Sequence, residues 1–213
     1  MTDRWYMTPA MVELLRLIRL HEGGKAGYNA DFRQDDKWTL TDKTFDEVRA
    51  LGRSQVTTGG RVGGKEPSSA IAAYQFLTTT LDSLRSSLGL SGKEIMSAAF
   101  QDDLAVALMT RRGRAKYMAG QMTAEAFCNE LAKEWASLPV VTGPKKGRSY
   151  YDGDGLNKSF HKPETILAAV RALKDAAPAP PPVVPHPLEE DMPDKPRTFW
   201  DILKGVGGSD SLK

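Results

Sequence analysis

Apolar positions along this chain recur mostly at helical spacing. The first such run opens at Thr8-Pro9, an N-cap followed by a proline where its missing N–H costs nothing. It places Met11, Leu14, Leu15 and Ile18 on one stripe. The next position on that stripe is Glu22, in the last turn before a Gly23-Gly24 break suited to a left-handed cap. Residues 25–40 lose the helical period. They are polar, with Tyr28, Phe32 and Trp38 spaced among Asp31, Asp35 and Asp36, and read as a short irregular β-hairpin. Thr44 to Glu47 is a capping box, opening a short helix that ends near Gln55. Ser68-Ser69 opens a longer helix over residues 70–87, with Tyr74, Leu77, Leu81, Leu84 and Leu88 on its stripe. Ser91 caps a helical stretch to Arg112 that is apolar on more than one face, as a central buried helix is. Helices at 114–119 and 123–137 follow, then a long loop over 140–162 and a last helix from Pro163 with Ile166, Leu167, Val170 and Leu173 facing inward. Residues 1–7 pack back on the first helix through Trp5, Tyr6 and Met7. The pattern is that of a mainly α (α+β) domain over residues 1–176 with one small β element and no internal repeat.

Composition changes that picture at the C-terminus. Eight prolines fall between Pro178 and Pro196, the mark of an extended linker over 177–196. Residues 197–213 form a short tail whose Phe199, Trp200, Ile202 and Leu203 suit a docking peptide for a partner or a loose fold-back on the domain. The net charge of +2 over 213 residues is too small to imply a nucleic-acid partner. One cysteine, Cys128, rules out an intramolecular disulfide. Glu13, Arg16 and Arg19 interrupt the N-terminal apolar run, so it resembles no signal peptide, and no stretch approaches the length of a transmembrane helix.

Candidate chemistry narrows by elimination. The three histidines, His21, His161 and His186, come without an HExxH motif or a cysteine pair, so a metal site lacks ligands and no cofactor is implied. No serine lies in a GxSxG elbow, and the Gly59-Gly60 and Gly63-Gly64 pairs lack the Walker spacing, which leaves a surface loop or lid. Asp152-Gly153-Asp154-Gly155 fails the calcium-loop pattern. Glu22 remains. It is either an end-of-helix residue turned to solvent or a desolvated carboxyl with the raised pKa a general acid needs. A carboxyl of the second kind, with tyrosines and amides nearby, can serve glycosidic bond cleavage.

Several motifs, taken in order across residues 12–175, resemble the phage lambda endolysin family of peptidoglycan-cleaving lytic transglycosylases. They are His21-Glu22-Gly23 for the family's catalytic Ser-Glu-Gly, Gly27-Tyr28-Asn29, and Ser68-Ser69-Ala70-Ile71-Ala72-Ala73-Tyr74-Gln75, followed by Leu88-Gly89-Leu90. Gln101 to Leu108, Arg112-Gly113, Trp135-Ala136-Ser137-Leu138-Pro139, Tyr150 and Phe160-His161-Lys162 complete the series. The family usually has Gly-Arg where this chain has Ala72-Ala73, so this chain would do without that arginine or draw on Arg61 or Lys65 for its role.

The resemblance implies a lysozyme-like fold and cleavage of the β-1,4 bond between N-acetylmuramic acid and N-acetylglucosamine, with Glu22 as acid and then base. Tyr28, Tyr74, Gln75, Tyr150, Tyr151 and His161 would contact the glycan strand. A hydrolytic muramidase is the first alternative, with Asp31, Asp35 or Asp36 activating a water. A non-catalytic wall-binding or virion-structural module is the second. Synthesis in the host cytoplasm without a signal peptide, action on periplasmic peptidoglycan and release through a holin-type pore complete what the resemblance implies.

Overall fold

The Thr8 side chain accepts a hydrogen bond from the Met11 N–H and starts the first helix, α1, over Pro9–Glu22. Met11, Leu14, Leu15, Leu17 and Ile18 are buried along it. The computed structural model describes residues 4–32, 38–57, 67–153 and 157–175. Within them α1 is followed by α2 (Phe45–Thr57), α3 (Thr78–Leu88), α4 (Ala98–Arg111), α5 (Arg114–Met118), α6 (Ala124–Ala132) and α7 (Pro163–Asp175). Helix α4 is the centre. Gln101 and the run from Asp103 to Met109 are all buried, so it is enclosed on every side. Helix α1 packs on α7, α7 on α6, and α2 on α3. Tyr6 is buried in the same core, with Trp5 and Met7 packed against it.

The molecule is mainly helical, and β structure among the described residues is confined to isolated bridges. The hairpin expected over 25–40 does not form in its described part. Gly27–Asn29 is a 3-10 turn instead, and Leu40–Asp42 another. The Asn29 side chain accepts from the N–H groups of Leu40 (2.8 Å) and Thr41 (3.1 Å), tying the two turns together. Asp35 and Asp36 lie outside the described residues, as do Gly59, Gly60, Gly63, Gly64, Arg61 and Lys65, the linker 177–196 and the tail 197–213.

Three helix boundaries differ from the periodic pattern, each for a non-local reason. Residues 71–76 are not helical. Ile71 and Phe76 pair as a bridge around a tight turn, and α3 begins only at Thr78, whose N–H reaches back to the Ser69 hydroxyl at 3.1 Å. Ser69 therefore does cap this helix, but across the turn, and Leu77 is left exposed. Residues 91–97 are not helical either. Phe45 N–H donates to the Glu94 carbonyl and Met96 N–H to the Lys43 carbonyl, so this strip pairs with the start of α2, and Ser97 becomes the cap of α4. Finally, α6 stops at Ala132 rather than Ser137. The Ser137 N–H, which a longer helix would direct to the Lys133 carbonyl, goes to Glu22, while the Lys133 carbonyl accepts from the Tyr151 hydroxyl at 2.7 Å. The capping box at Thr44 and Glu47 forms as the pattern requires.

Candidate active site

Helix α1 delivers Glu22 at its last residue. Glycine is required just after it. A Cβ on Gly23 would stand 2.8 Å from the Gly27 carbonyl and 3.1 Å from the Ala73 carbonyl, so the helix end is pressed directly against the 71–76 turn. Glu22 Oε1 accepts the Ser137 backbone N–H at 3.2 Å. Burial raises its pKa above the ordinary carboxylate value, and the contacts with Ser137 oppose that rise only in part. Of the two sequence readings, the desolvated carboxyl is the one the geometry favours.

Beside Glu22 lies an aromatic strap. The His21 ring stacks on Phe160 at 4.7 Å and meets His161 edge-on at 4.6 Å. His161 Nε2 lies 2.9 Å from the Leu17 carbonyl, so that nitrogen carries the proton. Burial and the neighbouring His161 lower the pKa of His21. Phe160 N–H donates to the Ser137 carbonyl at 3.0 Å. Ser137 thus joins the strap on one side to Glu22 on the other.

The remaining expected residues fall into two groups. Tyr28 and Tyr74 converge on Asp102 of α4. The Tyr28 hydroxyl donates to Asp102 Oδ1 at 2.9 Å and the Tyr74 hydroxyl donates to the same oxygen. Arg19, one turn before Glu22 on α1, reaches the Tyr74 oxygen at 3.2 Å and Asp102 at 3.5 Å, and its guanidinium covers the Tyr28 ring at 4.6 Å. Burial, with the adjacent Asp102 charge, pushes the Tyr28 hydroxyl up to about 12 and that of Tyr74 higher still. Tyr150 and Tyr151 are half exposed and meet edge-on at 5.2 Å, with Lys133 and Lys145 over the Tyr150 ring. Gln75 lies in the 71–76 turn, where its amide donates to the Asp31 and Ala72 carbonyls at 3.2 Å each. Asp31 itself is only 3% exposed.

The turn explains the family difference at Ala72. Ala72 has φ +68° and Gln75 φ +49°, the left-handed region that glycine enters without penalty. A glycine at 72 suits this turn; the alanine occupies it under strain. Ala73 is fully buried, and the guanidinium beside Tyr74 comes from Arg19. Gln101 holds the turn from below. Its amide oxygen accepts Ala73 N–H at 3.0 Å, and its nitrogen donates to the carbonyls of Tyr28 (3.0 Å) and Met96 (2.7 Å).

Gln101, Asp102 and Ser137 stand in the sequence only within the motifs of the resemblance, and sequence reasoning gives neither them nor Arg19 a role in the site. The signal for two of them is polarity inside an apolar helix, since Gln101 and Asp102 precede the buried run from Asp103 to Met109 in α4. No group of three or more histidine, cysteine or acidic side chains among the described residues is placed to hold a metal, and no described helix is long and apolar enough to cross a membrane.

A desolvated carboxyl at a helix end, held by the Ser137 N–H, suits proton transfer to a leaving group. The sequence model of the endolysin family matches residues 12–165, and the chain belongs to that family. It is thereby a bacteriophage protein of peptidoglycan degradation and bacteriolysis. No curated protein and no solved structure matches the chain.

Proposed function

We propose that this endolysin is a lytic transglycosylase with a lysozyme-like fold, cleaving the β-1,4 bond between N-acetylmuramic acid and N-acetylglucosamine with Glu22 as acid and base. The observation that carries the reading is the burial of Glu22 at the end of α1 with its pKa raised, which favours the acid form over the ion. Its proton passes to the bridging oxygen as the bond to C1 of the muramic acid breaks. The sugar's own acetamido oxygen steadies the positive centre. The Glu22 carboxylate then takes the proton of the C6 hydroxyl, and O6 closes on C1 as a 1,6-anhydro ring. Substrate assistance of this kind removes the need for a second carboxylate. The muramidase alternative requires one, and Asp31 is poorly placed for it, being almost wholly buried.

Mass analysis of the cleaved glycan ends separates the two chemistries. Anhydro-muramic ends are expected. Reducing muramic ends would establish hydrolysis, and an absence of any cleavage by the native protein would leave the wall-binding or virion module. Holin-dependent release and action in the periplasm go with the lytic reading. So does a docking role for residues 197–203.

A further inference from the structure

A pocket of about 210 Å³ opens beside the 71–76 turn. Tyr74, Gln75, Trp135 and Tyr151 form part of its lining, and Arg111, Arg112, Lys133 and Glu134 supply its charge. We propose that this pocket binds the carboxylates of the peptide stem carried by the muramic acid, so that the protein reads the stem as well as the sugar. The proposal rests on the reading of Glu22 as the residue that cleaves the glycan.

Three observations support it. The first is charge. Three cations line the pocket against one carboxylate, and Glu130, from outside the lining, offsets Lys133 and the far side of Arg112. A net positive charge is left.

The second is order. The Glu134 side chain is only 7% exposed and holds both arginines: Arg111 Nη2 donates to its two oxygens at 3.0 and 3.1 Å, and Arg112 Nε to Oε2 at 2.7 Å. The guanidiniums are therefore fixed before any ligand arrives. Arg111 remains 44% exposed, with N–H groups beyond those on Glu134. A planar guanidinium held in this way matches a carboxylate better than a mobile ammonium does.

The third is position. Trp135 lines the pocket, and Ser137, two residues on, donates to Glu22. Two residues of chain span at most about 7 Å. The pocket therefore adjoins the segment that brings Ser137 to Glu22, on the side assigned to the lactyl-linked peptide of a bound muramic acid. That peptide carries free carboxylates at its isoglutamyl and terminal residues, and the exposed ring of Tyr151 offers it apolar surface.

The test compares two substrates, glycan strands with intact stems and the same strands after amidase has removed them, with native protein and with Arg111→Ala and Arg111→Lys. The expected result is a loss of kcat/KM for Arg111→Ala at least ten-fold larger on stem-bearing than on stripped strands, residing mainly in KM, with partial recovery in Arg111→Lys. Equal losses on both substrates, or no loss on either, would overturn the proposal while leaving cleavage at Glu22 standing. Native protein that cleaves neither substrate would instead defeat the reading of Glu22. A second measurement does not depend on turnover. Free stem tetrapeptide titrated into Glu22→Gln protein should shift the Trp135 indole resonance, and the same peptide with its carboxylates amidated should not. Equal binding of both peptides contradicts a carboxylate site.

Discussion

Two carboxylates near the same turn are treated in opposite ways. Asp102 receives two phenolic hydroxyls, from Tyr28 and Tyr74, and stands within reach of the Arg19 guanidinium. Glu22, three residues after Arg19, takes the backbone N–H of Ser137, and burial is the dominant influence on its pKa. Charged and hydroxyl donors stabilise a carboxylate as an ion. Burial that outweighs them favours the acid. Asp102 therefore orders two tyrosines through the hydrogen bonds it accepts, while desolvation raises the pKa of Glu22. The side-chain chemistry is the same; burial is the largest influence at Glu22, while two hydroxyl donors and a guanidinium surround Asp102.

The largest effect that probes this contrast is on activity. Glu22→Gln keeps the shape and the Ser137 contact but removes the proton, so cleavage of purified peptidoglycan should fall by roughly 10²–10⁴-fold, with an unchanged circular dichroism spectrum. Stability should move the other way. A carboxyl whose folded pKa is raised stabilises the fold fully below its unfolded pKa and loses that contribution as pH rises through the folded value. Glu22→Gln should therefore melt at or above the native temperature at pH 7, and the difference should vanish as the pH falls below the ordinary glutamate range. Near-native activity in this variant would end the role assigned to Glu22.

Asp102→Ala tests the other carboxylate. It strands the buried Tyr74 hydroxyl and leaves Arg19 without its anion, at an expected cost of about 1–3 kcal/mol in denaturant unfolding. Asp102→Asn retains an acceptor oxygen and should cost clearly less. Both should reduce cleavage less than Glu22→Gln. An equal or larger loss of activity from Asp102→Asn at full stability would make Asp102 the proton donor and invert the contrast.

The smallest effect concerns the turn between them. Ala72→Gly relieves about 1–2 kcal/mol of left-handed strain, but gives up about 0.8 kcal/mol for a buried methyl group and about 0.5–1 kcal/mol of backbone entropy. These nearly cancel, so unfolding should change by less than about 1 kcal/mol. Ala105→Gly, equally buried but inside α4, has no strain to relieve and should cost about 2 kcal/mol from helix propensity and burial together. Equal losses at the two positions would show that Ala72 is not strained.

Local features were legible in the sequence. The Thr8 cap, the stripe of α1 and the landing of Glu22 at its end depend on residues a few places apart, as does the capping box at Thr44. The same logic failed at residues 70–77. Tyr74 and Leu77 keep the spacing of the leucine stripe by coincidence, and the turn they occupy uses left-handed alanine and glutamine, with no glycine to announce it. It is held in place by Gln101 and Ala30, both distant in the chain. In the described part of 25–40 the expected strands are not seen for a similar reason: a 3-10 turn forms at Gly27–Asn29, and the Asn29 side chain ties it to Leu40 and Thr41. Of the site, Glu22 could be found by position. Ser137 could not, because its contribution is a backbone N–H from 115 residues away, and a periodic reading assigned that N–H to a helix.

The contrast between the two carboxylates comes down to whether Glu22 holds its proton. The direct measurement is the titration of the Glu22 side-chain carboxyl carbon by NMR in the folded native protein, with Glu22→Gln used to assign the resonance. The expected result is a midpoint clearly above the ordinary glutamate value of about 4.3. A midpoint at or below that value would mean that burial does not dominate at Glu22, and would contradict its role as proton donor.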